Sequence, residues 1–252
     1  MFWKVKFVAL SDAHFGSDLG RFPTKARVRI FNDFLEFIKL QGFDELILVG
    51  DIFDFWFEYK HVIPKEHFEV LEALHSASNH IKIRFIGGNH DLWADGFLEE
   101  LGISVHEDPF EMNVDGRRIL FAHGDKFRRT DLGGRIVRFI LGNALAISMF
   151  RLVHPDIGIS IAHWVSSSSR KRSSRKTVQD PVPEKVVELL SNGYDLVVSG
   201  HVHLPFIQRV GNGIFAITGD WLYHFTYLEF DDGKTVKIKW YLEEKEQRID
   251  FE

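Results

Sequence analysis

Residues 81–91 read IKIRFIGGNHD. An apolar, partly β-branched run stops on Gly87-Gly88, and the chain then presents Asn89, His90 and Asp91. A short apolar run bounded by glycine is the pattern of a buried strand. Four further stretches repeat the arrangement: KVKFVALSDAH (4–14), ELILVGD (45–51), RILFAHGD (118–125) and DLVVSGHVH (195–203). Each ends on side chains able to bind a cation, namely Asp12 and His14, Asp51, His123, and His201 with His203. Ligands of open α/β sheets gather outside the carboxyl ends of the strands. Five such ends therefore predict one shared site.

The segments between them complete an α/β pattern. Phe31, Phe34, Leu35 and Ile38 recur at i, i+3, i+4 and i+7, which predicts a helix that Gly42 terminates. Residues 67–75 carry Phe68, Leu71 and Leu74 on one helical face, and residues 186–190 are helical. Asp115-Gly116 between residues 110–114 and 118–122 predicts a hairpin. Residues 214–242 read as β, with Asp231-Asp232-Gly233 as a turn. Strands alternating with helices indicate a layered α/β domain. Residues 127–177 break the pattern: they are helix-like, aromatic and basic, and are expected to cap the site.

The 252 residues suffice for one domain, residues 1–252, with the cap as an insertion. With no cysteine, disulfides, thiolate metal sites and cysteine nucleophiles are excluded, leaving imidazole, carboxylate and amide oxygen as donors. The N-terminus lacks a long apolar segment with a small-residue cleavage site, so a cytoplasmic protein is expected. The net charge of −5 is unevenly spread, because residues 126–180 hold eleven basic side chains against three acidic ones. A basic insert on an acidic body predicts an anionic partner.

The clusters Asp12-Ala-His14, Gly50-Asp51, Gly88-Asn89-His90-Asp91, His123-Gly124-Asp125 and Gly200-His201-Val-His203, in that order, resemble the calcineurin-like metallophosphoesterases. The resemblance spans residues 5–225 and implies an αββα sandwich with a helical cap and two divalent metal ions. Two such ions repel each other, and a shared carboxylate holds their spacing; Asp51 is the natural bridge. By resemblance, Asp12, His14 and His203 complete one metal site, and Asn89, His123 and His201 the other. Mixed N/O ligation without sulfur suits Mn²⁺, Fe or Zn²⁺ and does not choose among them; the resemblance makes Mn²⁺ the ion expected first. His90 is expected to stabilise the transition state or protonate the leaving group, with Asp51 and Asn89 also catalytic. Asp91 and Asp125 would either orient ligand imidazoles or bond their own loops, and Gly50, Gly88, Gly124 and Gly200 would allow close backbone approach.

The aromatics of Gly50-Asp51-Ile52-Phe53-Asp54-Phe55-Trp56, the basic insert, His154-Pro-Asp-Ile-Gly and Gly219-Asp220-Trp221 are similar to the UDP-2,3-diacylglucosamine hydrolases of lipid A biosynthesis. That family cleaves a pyrophosphate to UMP and the diacylated sugar 1-phosphate. The resemblance maps its substrate contacts onto Asp131, Ser169, Ser173 and Lys176, together with Asn89, His90 and His201. Ser173 stands where the family has asparagine, and His90 where proteobacterial members have arginine. A lipid nucleotide implies contact with the cytoplasmic face of the inner membrane, with nucleic acid not expected as a partner.

The uncharged run 139–150 is shorter than the roughly 20 residues that span a bilayer, so it reads as a packed cap helix or an interfacial one. Rival functions are a nuclease or general phosphodiesterase, a dinucleotide polyphosphate hydrolase, and a non-catalytic module on the same fold. His61, His67, His75, His80, His106 and His163 are expected to be surface or satisfied core residues, and His224 stays ambiguous.

Overall fold

The structure is a computed structural model that describes residues 5–91, 93–94, 96–127, 143–161, 182–230 and 233–251. Asp131, His163, Ser169, Ser173, Lys176 and the Asp231-Asp232 part of the predicted turn lie outside the described residues.

Two sheets face each other. The first has the order β12-β11-β10-β1-β2-β3-β4, formed by β1 (Phe7–Leu10), β2 (Glu45–Val49), β3 (Lys82–Ile86), β4 (Ile103–His106), β10 (Thr226–Phe230), β11 (Thr235–Trp240) and β12 (Lys245–Asp250). The second has the order β5-β6-β7-β9-β8, formed by β5 (Phe110–Val114), β6 (Arg117–Ala122), β7 (Leu196–Ser199), β8 (Phe206–Val210) and β9 (Gly213–Ile217). Strands β1 to β4 run parallel, β10 to β12 extend that sheet antiparallel, and β6, β7 and β9 are parallel neighbours in the other. The five strands read from sequence are thus β1, β2 and β3, adjacent in one sheet, and β6 and β7, adjacent in the other.

Alternation along each strand builds the layers. Phe7 and Ala9 of β1, Ile47 and Val49 of β2, Ile119 and Phe121 of β6, and Leu196 and Val198 of β7 fill the space between the sheets. Val8, Leu10, Leu46 and Leu48 face the other way, onto α1 (Thr24–Leu40) and α2 (Phe68–Ser78). Leu120, Ala122 and Val197 meet the helix Glu184–Ser191 on the far side. Helix, sheet, sheet, helix is the αββα order. Phe7 links the sheets through Phe121, edge-on at 5.6 Å. Both faces of the central parallel strands are covered, which is why they read as continuous apolar runs rather than alternating ones.

Most boundaries follow local chemistry. The α1 stripe Phe31, Phe34, Leu35 and Ile38 is buried, and Gly42 adopts a left-handed φ of 71° just beyond its end. Asp115 and Gly116 both have positive φ, as a two-residue hairpin turn of type I′ requires. Three readings change. Phe68, the first residue of α2, is 61% exposed, and Val70 joins Leu71 and Leu74 on the buried face in its place. The β tail is interrupted at residues 218–225, where a loop turns back to the site before β10. β12, with the sequence KEQRID, is an exposed edge strand whose charges hide it from hydrophobic patterning and also protect the edge. No described helix is long and apolar enough to cross a membrane.

Candidate metal centre

The carboxyl ends of β1, β2, β3, β6 and β7 converge, and each delivers its polar cluster to one place. Tight backbone links fix the convergence: the Asp12 N–H donates to Gly50 O (3.1 Å), the His14 N–H to Asp51 O (3.0 Å), and the Gly200 N–H to His123 O (3.0 Å). Among the described residues seven non-glycine positions have left-handed φ, and five are Asp12, His14, Asp51, His201 and His203. Such backbone costs energy and persists where the surroundings over-determine it, as they do at functional sites. The reversals aim successive side chains into one volume.

Two glycines make the approach feasible. A Cβ on Gly88 would sit 2.1 Å from Asp51 Oδ1, and one on Gly200 would sit 2.6 Å from Asp12 Oδ2. Any larger residue would displace a carboxylate.

The donor atoms form three overlapping triads, Asp12–His14–His203, His14–Asp51–His90 and Asp51–His123–His201. His203 Nε2 lies 3.5 Å and His14 Nε2 3.9 Å from Asp12 Oδ1; His123 Nε2 and His14 Nε2 lie 3.3 and 3.8 Å from Asp51 Oδ2. A cation held at about 2.0–2.2 Å from each donor spaces tetrahedral donors by roughly 3.4 Å. Most of these gaps are too long for hydrogen bonds and close to that spacing. Asp12 Oδ1 and His14 Nε2 are buried without a hydrogen-bond partner, an arrangement that is costly unless something positive lies between them. The donor set fits a divalent cation on these grounds. Asn89 joins through its Oδ1, 3.2 Å from His123 Nε2.

Ring orientation is set from behind. His123 Nδ1 lies 3.0 Å from Val49 O, so in the neutral ring Nδ1–H donates there and the Nε2 lone pair faces Asp51 and Asn89. His90 Nδ1 lies 2.8 Å from Asp54 O, leaving its Nε2 3.9 Å from Asp51 Oδ2. His14 Nδ1 is backed by Asp54 Oδ1 at 3.5 Å and His203 Nδ1 by Asp220 Oδ2 at 3.5 Å. Asp54 and Asp220 were not singled out from sequence. Asp54 lay within GDIFDFW, read there for its aromatics, and Asp220 within Gly219-Asp220-Trp221, quoted for its resemblance but given no role, in a stretch read as β. Asp220 also accepts the N–H groups of Leu222, Tyr223 and His224, and its Oδ1 lies 3.3 Å from His224 Nδ1.

Asp91 bonds its own loops rather than orienting an imidazole. It accepts N–H groups from Gly88, Asp51, Ile52 and Phe53, clamping the β2 and β3 loops together. The other histidines behave as expected where described: His67 is buried against Phe53 and Trp56 with Nε2 2.9 Å from Phe55 O, and His75 is exposed.

Charge is strongly organised. Burial disfavours ionised Asp51, but His123, His90 and His14 outweigh it and hold the carboxyl well below the usual range. Burial pulls the His123 imidazolium down, and Asp51 overrides this and raises it well above the ordinary histidine value. His14 stays lowered because its burial dominates. Burial and the Asp51 charge push Asp91 up to about 6.

Comparison with known proteins fixes the family. The calcineurin-like phosphoesterase profile matches residues 5–205, which contain all five clusters. The chain belongs to the calcineurin-like phosphoesterase family. Members of this family use divalent metals, and this phosphoesterase is accordingly a metal-dependent hydrolase. It is 27% identical to the UDP-2,3-diacylglucosamine hydrolase of Porphyromonas gingivalis, over 93% of this chain and 97% of that one. It is 31% identical to the enzyme of the same name from Aeromonas salmonicida, over 79% of this chain and 78% of that one. Among solved structures, Yfce, a phosphoesterase from E. coli, superposes with a TM-score of 0.53 at 14% identity, covering 98% of this chain and 100% of that one. That likeness speaks for the fold.

Proposed function

We propose that this phosphoesterase hydrolyses the pyrophosphate bond of UDP-2,3-diacylglucosamine, giving UMP and 2,3-diacylglucosamine 1-phosphate. The observation that carries this reading is an apolar wall built onto the loop of Asp51. Phe55 and Phe57 follow that carboxylate, Trp93 stacks edge-on against Phe57 at 4.7 Å, and Phe150 of the insert closes on Phe57 at 4.7 Å and Trp93 at 5.3 Å. A phosphate chemistry site beside a cluster of packed aromatic rings suits a substrate that is anionic at one end and acylated at the other. The substrate named for the relatives has both properties.

In this reading Asp12, His14 and His203 would hold one ion and Asn89, His123 and His201 the other, with Asp51 shared between them. Two divalent ions there, Mn²⁺ in this reading, would activate water and offset charge on the phosphoryl oxygens. His90 is 13% exposed; it stabilises the transition state or gives a proton to the leaving group, while Asn89 orients the phosphoryl group. His201 contacts substrate as well in this reading. The insert over residues 127–177 acts as the cap, with Asp131, Ser169, Ser173 and Lys176 binding the nucleotide sugar. Its helix Ala144–Phe150 exposes Leu145 and Met149, and Leu152, Ile157 and Ile161 beyond it are exposed as well. Those side chains favour acyl chains or the cytoplasmic face of the inner membrane, where the substrate resides.

The test gives the Mn²⁺-loaded protein the lipid nucleotide and, separately, a bis-aryl phosphate and single-stranded DNA. UMP and the lipid sugar phosphate are expected, with the lipid nucleotide preferred. Turnover of the simple esters or DNA without UMP would assign a general phosphodiesterase or nuclease instead.

A further inference from the structure

Arg27 is fully buried, a rare state for an arginine. It lies in the first turns of α1, and its side chain runs under the loop that joins β1 to that helix. Nη1 donates to Ala13 O at 2.6 Å; Nη2 donates to Ser17 O at 2.6 Å and Thr24 Oγ1 at 3.2 Å, and lies 3.5 Å from His14 O. Thr24 Oγ1 itself donates to Ser17 O at 2.6 Å. The guanidinium thus gathers three backbone carbonyls of one loop.

That loop has an unusual shape. Asp12, His14 and Gly16 all have positive φ, at 55°, 43° and 99°. Every second residue is reversed, so the carbonyls of Ala13, His14 and Ser17 turn inward, away from water. Buried carbonyls need donors, and one planar group with several N–H directions can serve them together. An ammonium, as a point charge on a flexible stem, is less suited to that fork.

Charge supplies a second argument. Among the described residues Arg27 forms no ion pair with a carboxylate, and burying an unpaired cation is costly. The charges it senses most are those of Asp54 and Asp220, the two carboxylates that back His14 and His203. The room it occupies is shaped for it, since a Cβ on Gly20 would sit 3.2 Å from Arg27 Nε and 2.9 Å from Leu222 O.

We propose that Arg27 is a positioning residue of the metal centre: its guanidinium holds the Asp12–Ser17 loop in the shape that aims Asp12 and His14 at the cation they share with His203. It rests on the two-ion reading given above. Arg27 touches neither ion nor substrate. Its effect falls on one half of the centre, since Asn89, His123 and His201 hang from other strands.

The test compares Arg27→Met, which keeps length but removes the donors, with Arg27→Lys in the full chain. Mn²⁺ stoichiometry and affinity are titrated, and paramagnetic resonance distinguishes an exchange-coupled Mn²⁺ pair from an isolated ion. Wild type is expected to take two ions and show the coupled spectrum. Arg27→Met should keep one ion at near wild-type affinity and lose about 10–100-fold for the other, the range typical of groups behind a ligand, with the isolated-ion spectrum. Arg27→Lys should recover part of that loss, and it carries the comparison if Arg27→Met does not fold. A purely structural arginine would lower thermal stability and weaken both ions alike or neither; either pattern overturns the inference. A wild type taking fewer than two ions overturns the two-ion centre, and the inference with it.

Discussion

Asp51→Asn lowers kcat/KM on the lipid nucleotide by on the order of 10³-fold, because metal charge stabilisation is worth several kcal/mol and each 1.36 kcal/mol is a factor of ten. The substitution is nearly isosteric, so the fold should survive it. Oδ1 accepts the His90 N–H at 2.9 Å, and Oδ2 is the oxygen near His123, His14 and His90. An amide keeps one acceptor but places an NH₂ or a neutral oxygen where the two halves of the centre meet. The charge that holds two cations together is then missing. Steady-state kinetics with a matched thermal melt checks this. Activity within tenfold of wild type would mean that Asp51 is not shared by two ions.

Mn²⁺ affinity should fall steeply with acid. In the metal-free protein, burial pulls His123 down, and the Asp51 carboxylate overrides it and raises the imidazole well above its ordinary value. The sign follows from that direction. Protonated His123 adds stability to the metal-free fold that is fully present below the unfolded value near 6.5 and is lost as pH rises through the higher folded value. A metal ion needs the Nε2 lone pair, so it competes with that proton. Each proton displaced makes affinity change by about tenfold per pH unit below the folded value. Calorimetric titration in buffers of different ionisation enthalpy should show proton release on binding. An affinity that is flat with pH below the folded value would place His123 outside the centre.

How much of this was legible in the sequence depends on whether the signal is local. Asp12, His14, Asp51, Asn89, His123, His201 and His203 could be read because each closely follows a buried strand, and the carboxyl ends of those five strands converge from the two sheets. Asp54 and Asp220 could not. Their work depends on facing His14 and His203 across the fold, and neither has a sequence neighbour that reveals it. Arg27 was equally hidden, since an arginine beside Val28 in an amphipathic helix reads as solvated, yet it is as buried as Phe31. The break in the β tail was missed because residues 218–225 are as apolar and aromatic as a strand: Trp221, Leu222 and Phe225 are buried while Phe225 adopts a φ of 53°. β12 was missed for the opposite reason, its exposed charges masking a strand that pairs along its whole length with β11.

Asp91 shows how a motif can be right in place while leaving its role open. The Gly-Asn-His-Asp cluster allowed it either to orient an imidazole or to bond its own loop. In the fold it receives four N–H groups and ties the Asp51 loop to the Asn89 loop. Its contribution to the centre is the distance between those two loops.

A pair of divalent ions joined by Asp51 is tested most directly by crystallography with anomalous scattering at the manganese edge. Two peaks are predicted, about 3.5–4 Å apart, one against Asp12, His14 and His203, the other against Asn89, His123 and His201, with Asp51 touching both. A single peak, or two that do not share Asp51, would contradict it.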